Sequence, residues 1–259
     1  MKKLFLFEIR KLFKMKLFYI CLGVVVGLAL FGTLGSYLLL RMMLGDEVNE
    51  FLGLYAPTAV DVIRSELSQQ TCTLMIALFV TLYLCDDNRH STLKNIYARG
   101  YGRDGVYFTK LIVALAVTVF YVFVDWLFSF VFGCMFYEVG SAEGTLAGAL
   151  TVQLLAVLAY ATLFFFITTI IKKTGGSVVT NILILMFFNV ILTLFDYVIF
   201  RIAHNDSFMI SEYWIEGIIL KMGSGDLEAK NYIISTVLCL VYAAGFIVGG
   251  MFINRKREV

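Results

Sequence analysis

Long apolar runs separated by short polar segments dominate the chain. Each run is at least 18 residues long and mostly apolar, about the length that one helix needs to cross about 30 Å of hydrocarbon. This pattern predicts an all-α, polytopic membrane protein whose six spans form a single transmembrane domain over residues 1–259. The predicted spans lie at residues 17–40, 68–85, 106–136, 145–171, 177–200 and 232–253.

Basic residues concentrate in every second segment between these spans. Sixteen of the 21 Lys and Arg residues fall in the amino-terminal segment, the second and fourth loops and the carboxyl-terminal tail. The other side holds most of the acidic residues. Because Lys- and Arg-rich segments stay on the cytoplasmic side, we expect both termini in the cytoplasm and the chain in a bacterial cytoplasmic membrane.

Composition supports this interpretation and excludes other classes. The chain is 60% apolar and 15% charged, whereas soluble domains are roughly 45–50% apolar and about 25% charged. A soluble enzyme, a nucleic-acid-binding protein and a secreted disulfide scaffold are therefore excluded. A cleaved signal peptide is also excluded, because the apolar run at 17–40 is too long and no small-residue cleavage site follows it.

The residues that membrane enzymes require are missing from the sequence. His90 and His204 are expected on opposite sides of the membrane, and no zinc-protease, nucleophile-elbow or phosphate-loop motif occurs. We therefore expect no catalytic residue, no metal site and no cofactor of the chain's own. The five cysteines lie in or beside spans and show no metal-binding spacing; Cys72 and Cys134 are both expected near the outer face, which leaves a disulfide between them open.

A few polar and small residues inside the spans are candidates for packing or transport. Asp125 lies about 22 Å along the helix from Lys110, at 1.5 Å per residue, and facing lipid it would cost about 2.5–3.5 kcal/mol. It is therefore either a contact in the translocation pathway or a carboxyl group held by a polar neighbour. Asn189 is a second pathway candidate. Interhelical hydrogen bonds are expected from Asn181, Gln153 and Asn189, and close helix packing from Gly23 with Gly27, Gly144 with Gly148, and Gly245 with Gly249.

Two segments on the basic side carry apolar residues at helical spacing. In residues 1–16, Phe5, Ile9, Leu12 and Phe13 recur at intervals of three and four among lysines, which is typical of a helix lying in the headgroup plane. A plain basic anchor is the alternative. In residues 86–105, Leu93, Ile96 and Tyr97 form an apolar face that either is covered by a partner or lies on the headgroups.

The segment on the opposite side between spans five and six, residues 201–231, mixes Trp and Tyr with aliphatic residues. Such a mixture suits a re-entrant or interfacial helix.

At these segments the sequence resembles the permeases of type-2 ATP-binding-cassette (ABC-2) transporters. That family has an amino-terminal motif of an aromatic residue, Glu, a basic pair and Leu, which here reads Phe7-Glu8-Ile9-Arg10-Lys11-Leu12. After the second span it has an acidic residue, a Ser-Thr or Gly-Thr pair, an apolar-rich helix, an Arg and a Lys. The matching positions here are Asp87, Ser91-Thr92, Leu93 to Ile96, Arg103 and Lys110.

The resemblance implies a permease subunit that works with a second permease subunit and two cytoplasmic ATPases, which bind the ATP and Mg²⁺. Residues 1–16 would form an interfacial connector helix, with Phe7, Glu8, Lys11 and Leu12 as its marker residues. Residues 86–105 would carry the coupling helix that contacts the ATPase. Its implied contact residues are Asp87, Arg89, Ser91, Thr92, Leu93, Ile96, Tyr97 and Arg103.

Small permeases of this kind suggest export of a peptide, an antibiotic or another amphipathic molecule. Two other functions remain as alternatives, a non-transporting membrane scaffold or sensor and an ion-coupled secondary transporter. A secondary transporter usually has several intramembrane charges or broken spans. The sequence indicates only one deep carboxylate and no broken span, so this alternative is disfavoured.

Overall fold

The protein is built from helices alone throughout the part of the chain that its structure, a computed structural model, describes. That part comprises residues 2–44, 58–89, 96–141, 145–171, 173–203, 209–223 and 229–256. Its α-helices, in chain order, are α1 (Lys2–Lys14), α2 (Lys16–Leu44), α3 (Ala59–Glu66), α4 (Thr71–Arg89), α5 (Arg103–Phe136), α6 (Thr145–Ile171), α7 (Thr174–Ala203), α8 (Ile215–Gly223) and α9 (Ala229–Lys256). Short 3₁₀ turns at Leu67–Gln69 and Ser211–Tyr213 precede α4 and α8.

Five of these helices, α2, α5, α6, α7 and α9, are long and apolar enough to cross a membrane. Helices α3 and α4, bent by 41° at the turn between them, pass the same test as a pair and give a sixth candidate crossing. The prediction of an all-α polytopic membrane protein is therefore confirmed. We call the end that carries α1 and the last turn of α9 the basic end, and the end that carries α3 and α8 the acidic end.

A separate helix, α3, precedes the second predicted span, which begins at Thr71 in the structure and not at residue 68. Gln70 adopts a left-handed backbone with φ of 62°, a conformation that ends a helix. The preceding helix α3 starts at a capping box, in which the Thr58 backbone N–H donates to Asp61 Oδ2 at 2.9 Å and the Asp61 N–H donates to Thr58 Oγ1 at 3.3 Å. The short polar helix therefore has its own start signal.

Helix α3 packs tightly against the end of α5. A Cβ atom added at Gly133 would lie 3.1 Å from Ala59 Cα, and the Ala59 N–H donates to Glu138 O at 2.9 Å. This close approach holds α3 inside the bundle.

The core of the bundle forms around α6. Along α6 the buried residues occupy every face, including Ala156, Val157, Tyr160 and Phe164. A helix that is apolar all round is expected in the interior, and α6 is enclosed by α4, α8 and α9. By contrast, α7 and α9 expose most of their aliphatic residues, as lipid-facing helices do.

Interhelical hydrogen bonds form at Asn181 and Gln153, as the sequence predicts. The Asn181 Nδ2 group on α7 donates to Thr81 Oγ1 on α4 at 2.7 Å and to Thr168 Oγ1 on α6 at 3.2 Å. The Gln153 Nε2 group on α6 donates to Arg64 O on α3 at 3.0 Å. These two expectations are confirmed.

Replacing Asn181 with leucine should lower the free energy of unfolding by about 1 kcal/mol, because membrane interhelical hydrogen bonds average roughly 0.6 and reach about 1.7 kcal/mol. The measurement is thermal or denaturant unfolding of the purified protein in detergent. Thr193→Val is the control, since the exposed Thr193 hydroxyl on the same helix bonds only its own helix, at Asn189 O. Equal effects of the two substitutions would contradict this role of Asn181.

Three of the five described glycines that were predicted to pack against another helix make no such contact. Nothing lies within 4 Å of a Cβ atom added at Gly23, Gly27 or Gly245, so in this chain these residues are not helix contacts. A Cβ atom at Gly249 would lie 3.1 Å from the Phe166 ring, and one at Gly148 would make ordinary contact with Tyr232. Gly144 lies outside the described residues.

The disulfide left open by the sequence does not form in this structure. Cys72 and Cys134 are both free thiols, the first buried in α4 and the second exposed on α5.

Candidate functional site: a buried ion cluster at the basic end

Charged side chains from three helices meet inside the basic end. The Lys110 ammonium on α5 contacts Asp87 Oδ2 on α4 and lies 3.0 Å from Glu8 Oε1 on α1. The Lys11 ammonium on α1 contacts Asp87 Oδ1 and lies 3.2 Å from Asp86 Oδ2. Glu8, Lys11, Asp86, Asp87 and Lys110 form what we call the ion cluster, which joins the interfacial helix to the ends of two spans.

Tyr83, one turn before Asp87 on α4, forms the floor of this cluster. Its hydroxyl donates to Glu8 Oε2 at 2.7 Å. Its ring centroid lies 5.4 Å from the Lys110 ammonium and 5.7 Å from the Lys11 ammonium, within cation–π range. Tyr83 was not among the residues predicted for this site. Its position four residues before Asp87 places it on the same helix face, and this spacing could have revealed it.

The ion cluster is largely closed to solvent. Glu8 and Asp87 are each 1% exposed and Lys110 is 4% exposed, whereas Asp86 and Lys11 lie towards the surface. A buried charge is tolerated only when it is paired and hydrogen-bonded. Since three carboxylates surround two ammonium groups, each buried charge has a partner of opposite sign.

The protonation of Lys11 reflects this arrangement. Burial by itself would lower the pKa of the Lys11 ammonium, but hydrogen bonds and charge attraction from Asp87 and Asp86 outweigh it and raise the pKa above its ordinary value. Lys11 therefore stays charged through the physiological pH range, and the link between α1 and α4 persists with it.

An apolar contact lies beside the ion cluster. Leu4 on α1, Ile96 in the short turn before α5, and Val106 on α5 are 3%, 6% and 2% exposed and pack together, with Tyr97 and Tyr101 against them. The sequence left two alternatives for the apolar face that includes Ile96, cover by a partner or contact with the headgroups. In the structure, Leu4 and Val106 of the same chain cover Ile96 instead.

Helix α1 has an inward and an outward apolar side. The inward stripe is Leu4, Glu8 and Leu12, at helical spacing of four, whereas Phe5, Phe7 and Phe13 are exposed. Glu8 is buried where Lys110 and Tyr83 meet it. Of the residues whose spacing predicts a helix in the headgroup plane, the exposed Phe5 and Phe13 suit contact with lipid, whereas Leu12 packs into the bundle.

The structure describes only some of the remaining predicted coupling residues. Arg103 begins α5, where its carbonyl accepts from Asn254 Nδ2 at 3.5 Å. Arg89 ends α4, and its side chain is outside the description. Ser91, Thr92 and Leu93 lie outside the described residues. The neighbouring Asp104 pairs with Arg255 of α9 at 2.7 Å on the surface, which ties the last helix to the start of α5.

The two pathway candidates lie in different surroundings at the acidic half. Asp125 is 1% exposed and lies near Glu66 of α3, which is also 1% exposed. Asn189 lies beside Glu216 of α8, whose other neighbour is the Gln70 amide. No contact among the described residues joins Asp125 to Asn189. Glu66 was not predicted as a buried residue, because it lies before the apolar run that predicts the second span.

The fold and this site define a helical membrane protein whose amino-terminal helix is held by ion pairs against the ends of α4 and α5. The family model described as ABC-2 family transporter protein matches residues 4–191, well over half of the 259-residue chain. The chain therefore belongs to the ABC-2 transporter family, and it is a membrane permease component of an ABC transporter. No curated protein and no solved structure gives a significant match.

Proposed function

We propose that this chain is the permease of an ATP-driven exporter, and that its basic end receives the movement of cytoplasmic ATPase subunits. Membership in the ABC-2 family implies association with ABC ATPases. The ion cluster is the observation that supports the coupling role. It links α1 to the ends of α4 and α5, so a displacement of this end of the protein would move two spans together.

The loop between α4 and α5 is the proposed contact for the ATPase. Asp86 and Asp87, in the last turn of α4 before the loop, belong to the ion cluster, and Ile96 near the other end of the loop is buried against Leu4 and Val106. Both ends of the loop are thus fixed to the bundle. Its exposed part includes Arg99 in the turn after Ile96. For ATP hydrolysis to shift the permease, this surface must bind the two ATPase states unequally.

The proposed orientation places the basic end and both termini in the cytoplasm of a bacterial cell. Charge asymmetry supports this, since Lys and Arg favour the cytoplasmic side. A second permease, of the same or another sequence, is proposed to complete the pathway. The open faces of α2 at Gly23 and Gly27 support a partner, because small residues let membrane helices approach closely. The proposed cargo is a peptide, an antibiotic or another amphipathic molecule.

Reversing the charge of Arg99 should weaken the ATPase complex. We expect Arg99→Glu to lower the ATPase activity that copurifies with the tagged permease by about fivefold, or roughly 1 kcal/mol. The measurement is vanadate-sensitive ATP hydrolysis by protein purified from native membranes. Lys230→Glu is the matched control, since Lys230 is an exposed cation of α9 at the acidic end.

Three results would contradict the proposal. One is a wild-type permease that copurifies with no ATPase. Another is transport by the chain alone in vesicles without nucleotide, which would favour a secondary transporter. The third is an equal loss for Arg99→Glu and Lys230→Glu, which would remove the loop assignment.

A further inference from the structure

The turn between α3 and α4 contains the one non-glycine residue with a left-handed backbone in the described part of the chain. Gln70 has φ of 62°, a region in which the Cβ atom crowds the following carbonyl oxygen. Glycine adopts this conformation at no cost, and glutamine does not. A residue with a Cβ atom stays there only where its surroundings hold it. The turn at Gln70 is therefore strained, and a contact must hold it.

A hydrogen bond from the same residue provides that contact. The Gln70 Nε2 group donates to Glu216 Oε1 in the first turn of α8. Glu216 is 7% exposed, so the bond is largely shielded from water. This bond joins the turn between α3 and α4 to the start of α8.

The neighbouring elements are held by broader contacts. Helix α3 packs on α5 at backbone distance, through Ala59 and Gly133. Helix α8 buries four apolar side chains in the core around α6. On the α3 side of Gln70, Ser68 approaches Gly223 of α8, where an added Cβ atom would lie 3.3 Å from the Ser68 side chain. A single hydrogen bond opposed by backbone strain gives way more readily than these packed contacts.

The strain at Gln70 and its hydrogen bond oppose each other with comparable free energies. The cost of a left-handed backbone at a residue with a Cβ atom is of the same order as the net stabilisation from one hydrogen bond to a carboxylate. The bond therefore holds the turn in this conformation by a small margin. A modest displacement of α4 is enough to shift that balance.

Helix α4 connects this turn to the ion cluster at the opposite end of the bundle. Its 19 residues extend for about 28 Å at 1.5 Å per residue. The first of them follows Gln70, and Asp87 near the other end contacts Lys11 of α1 and Lys110 of α5. A displacement of the basic end therefore acts on the turn through α4.

We propose that the turn at Gln70 is a hinge between α3 and α4, and that its hydrogen bond to Glu216 is a latch that keeps the hinge closed. Displacement of α4 by the ATPases breaks the latch and relaxes the backbone of Gln70. Helix α4 then pivots away from α8, while α3 stays on α5. Gln70 and Glu216 are thus positioning residues for transport. The inference rests on the proposed coupling function and extends it from the basic end to the acidic end.

The native cysteines report on this hinge in the purified full-length protein. Cys72 lies two residues after Gln70 and is 1% exposed, so its reaction with N-ethylmaleimide measures how often the start of α4 opens. Cys21, buried in α2, reports opening elsewhere in the bundle, and the exposed Cys134 reports the supply of reagent. Mass spectrometry of the protein in nanodiscs gives the rate at each site.

Two substitutions at residue 70 separate the strain from the hydrogen bond. Gln70→Ala removes the latch but keeps a Cβ atom in the left-handed conformation, whereas Gln70→Gly removes both the latch and the strain. Because opening relaxes this backbone, alanine should favour opening more than glycine does. We expect Cys72 to react about tenfold faster than in the wild type in Gln70→Ala and about threefold faster in Gln70→Gly, with Cys21 unchanged.

Substitutions on α8 test the latch from its other side. Glu216→Ala should also speed the reaction of Cys72 about tenfold, and combining it with Gln70→Ala should add little, because both changes remove the same bond. Glu212→Ala is the matched control. Glu212 is a partly exposed acid just before α8 that pairs with Lys221, so its loss should leave the Cys72 rate unchanged.

The last measurement adds the ATPase. In the complex, ATP with vanadate should change the Cys72 rate of the wild-type permease, and an unchanged rate would overturn the link between the ATPase and the hinge. Equal rates in Gln70→Ala and Gln70→Gly would overturn the hinge, because the backbone would then keep its conformation on opening. A wild-type rate in both Gln70→Ala and Glu216→Ala would overturn the latch. The substitutions are measured without the ATPase, so the hinge can fail while the proposed coupling function stands.

Discussion

Asp87→Asn should lower the free energy of unfolding by about 3 kcal/mol. Asp87 faces both Lys11 and Lys110, and an amide in its place leaves the 4% exposed Lys110 with only one carboxylate. Removing one member of a buried ion pair costs about 3–5 kcal/mol, because the remaining charge stays buried without compensation. The measurement is denaturant or thermal unfolding in detergent.

The matched control is Asp104→Asn. Asp104 is also an aspartate paired with a basic residue at the basic end, but both it and Arg255 are exposed. Solvent-exposed pairs contribute little to stability, so we expect no measurable change. A second test adds Lys110→Met to Asp87→Asn, which removes the buried cation and should restore part of the lost stability. A destabilisation that is the same with and without Lys110 would contradict the buried-charge explanation.

Loss of the ion cluster should also separate coupling from assembly. In Asp87→Asn the loop still carries its exposed surface, whereas the link between α1, α4 and α5 is weakened. The expected result is an ATPase that still copurifies but transports cargo less per ATP hydrolysed. Loss of the ATPase itself would indicate that Asp87 contributes to binding and not to transmission.

Gly217→Ala should destabilise the protein by about 3 kcal/mol. An added Cβ atom would overlap Ser211 O and lie 2.9 Å from Glu212 Cα, and neither backbone atom can move without lifting the turn at Ser211–Tyr213 from the start of α8. Forcing extra atoms into a packed site costs about 1–3 kcal/mol. Because α8 buries Ile215, Ile218, Ile219 and Met222, we expect the upper end of that range.

Gly27→Ala is the matched control for this substitution. It makes the same change on α2, where nothing lies within 4 Å of the new methyl group. Alanine favours a helix over glycine by about 0.8–1 kcal/mol, so this substitution should be neutral or slightly stabilising. Opposite signs for the two variants, measured as unfolding midpoints, are the expected outcome. A destabilising Gly27→Ala would instead indicate that a partner packs at that face.

The sequence predicted the positions of the spans well, because long apolar runs leave a membrane helix as the main possibility. It also selected Asn181 and Gln153 as interhelical donors, since an amide inside hydrocarbon needs a partner. It did not predict α3, the short helix ahead of the second span. The turn at Gln70 carries no proline or glycine, so hydropathy alone does not reveal that α3 enters the bundle and brings Glu66 with it.

The candidate site was only partly readable in advance. Motif resemblance selected Glu8, Lys11, Asp87 and Lys110 individually, but no spacing rule indicates that residues 8, 87 and 110 meet. Ile96 shows the same limit, since its apolar side chain predicted burial without saying whether this chain or a partner would cover it.

What the sequence by itself determined is the environment of this protein, an apolar layer crossed by helices, with charge sorted to one side. That follows from residue-by-residue transfer free energies, which do not depend on contacts between distant segments. Only the tertiary structure decided which buried charges are compensated. Ion pairing depends on distances of a few ångströms between helices far apart in the chain, and these distances joined Lys110 to Glu8 and Asp87.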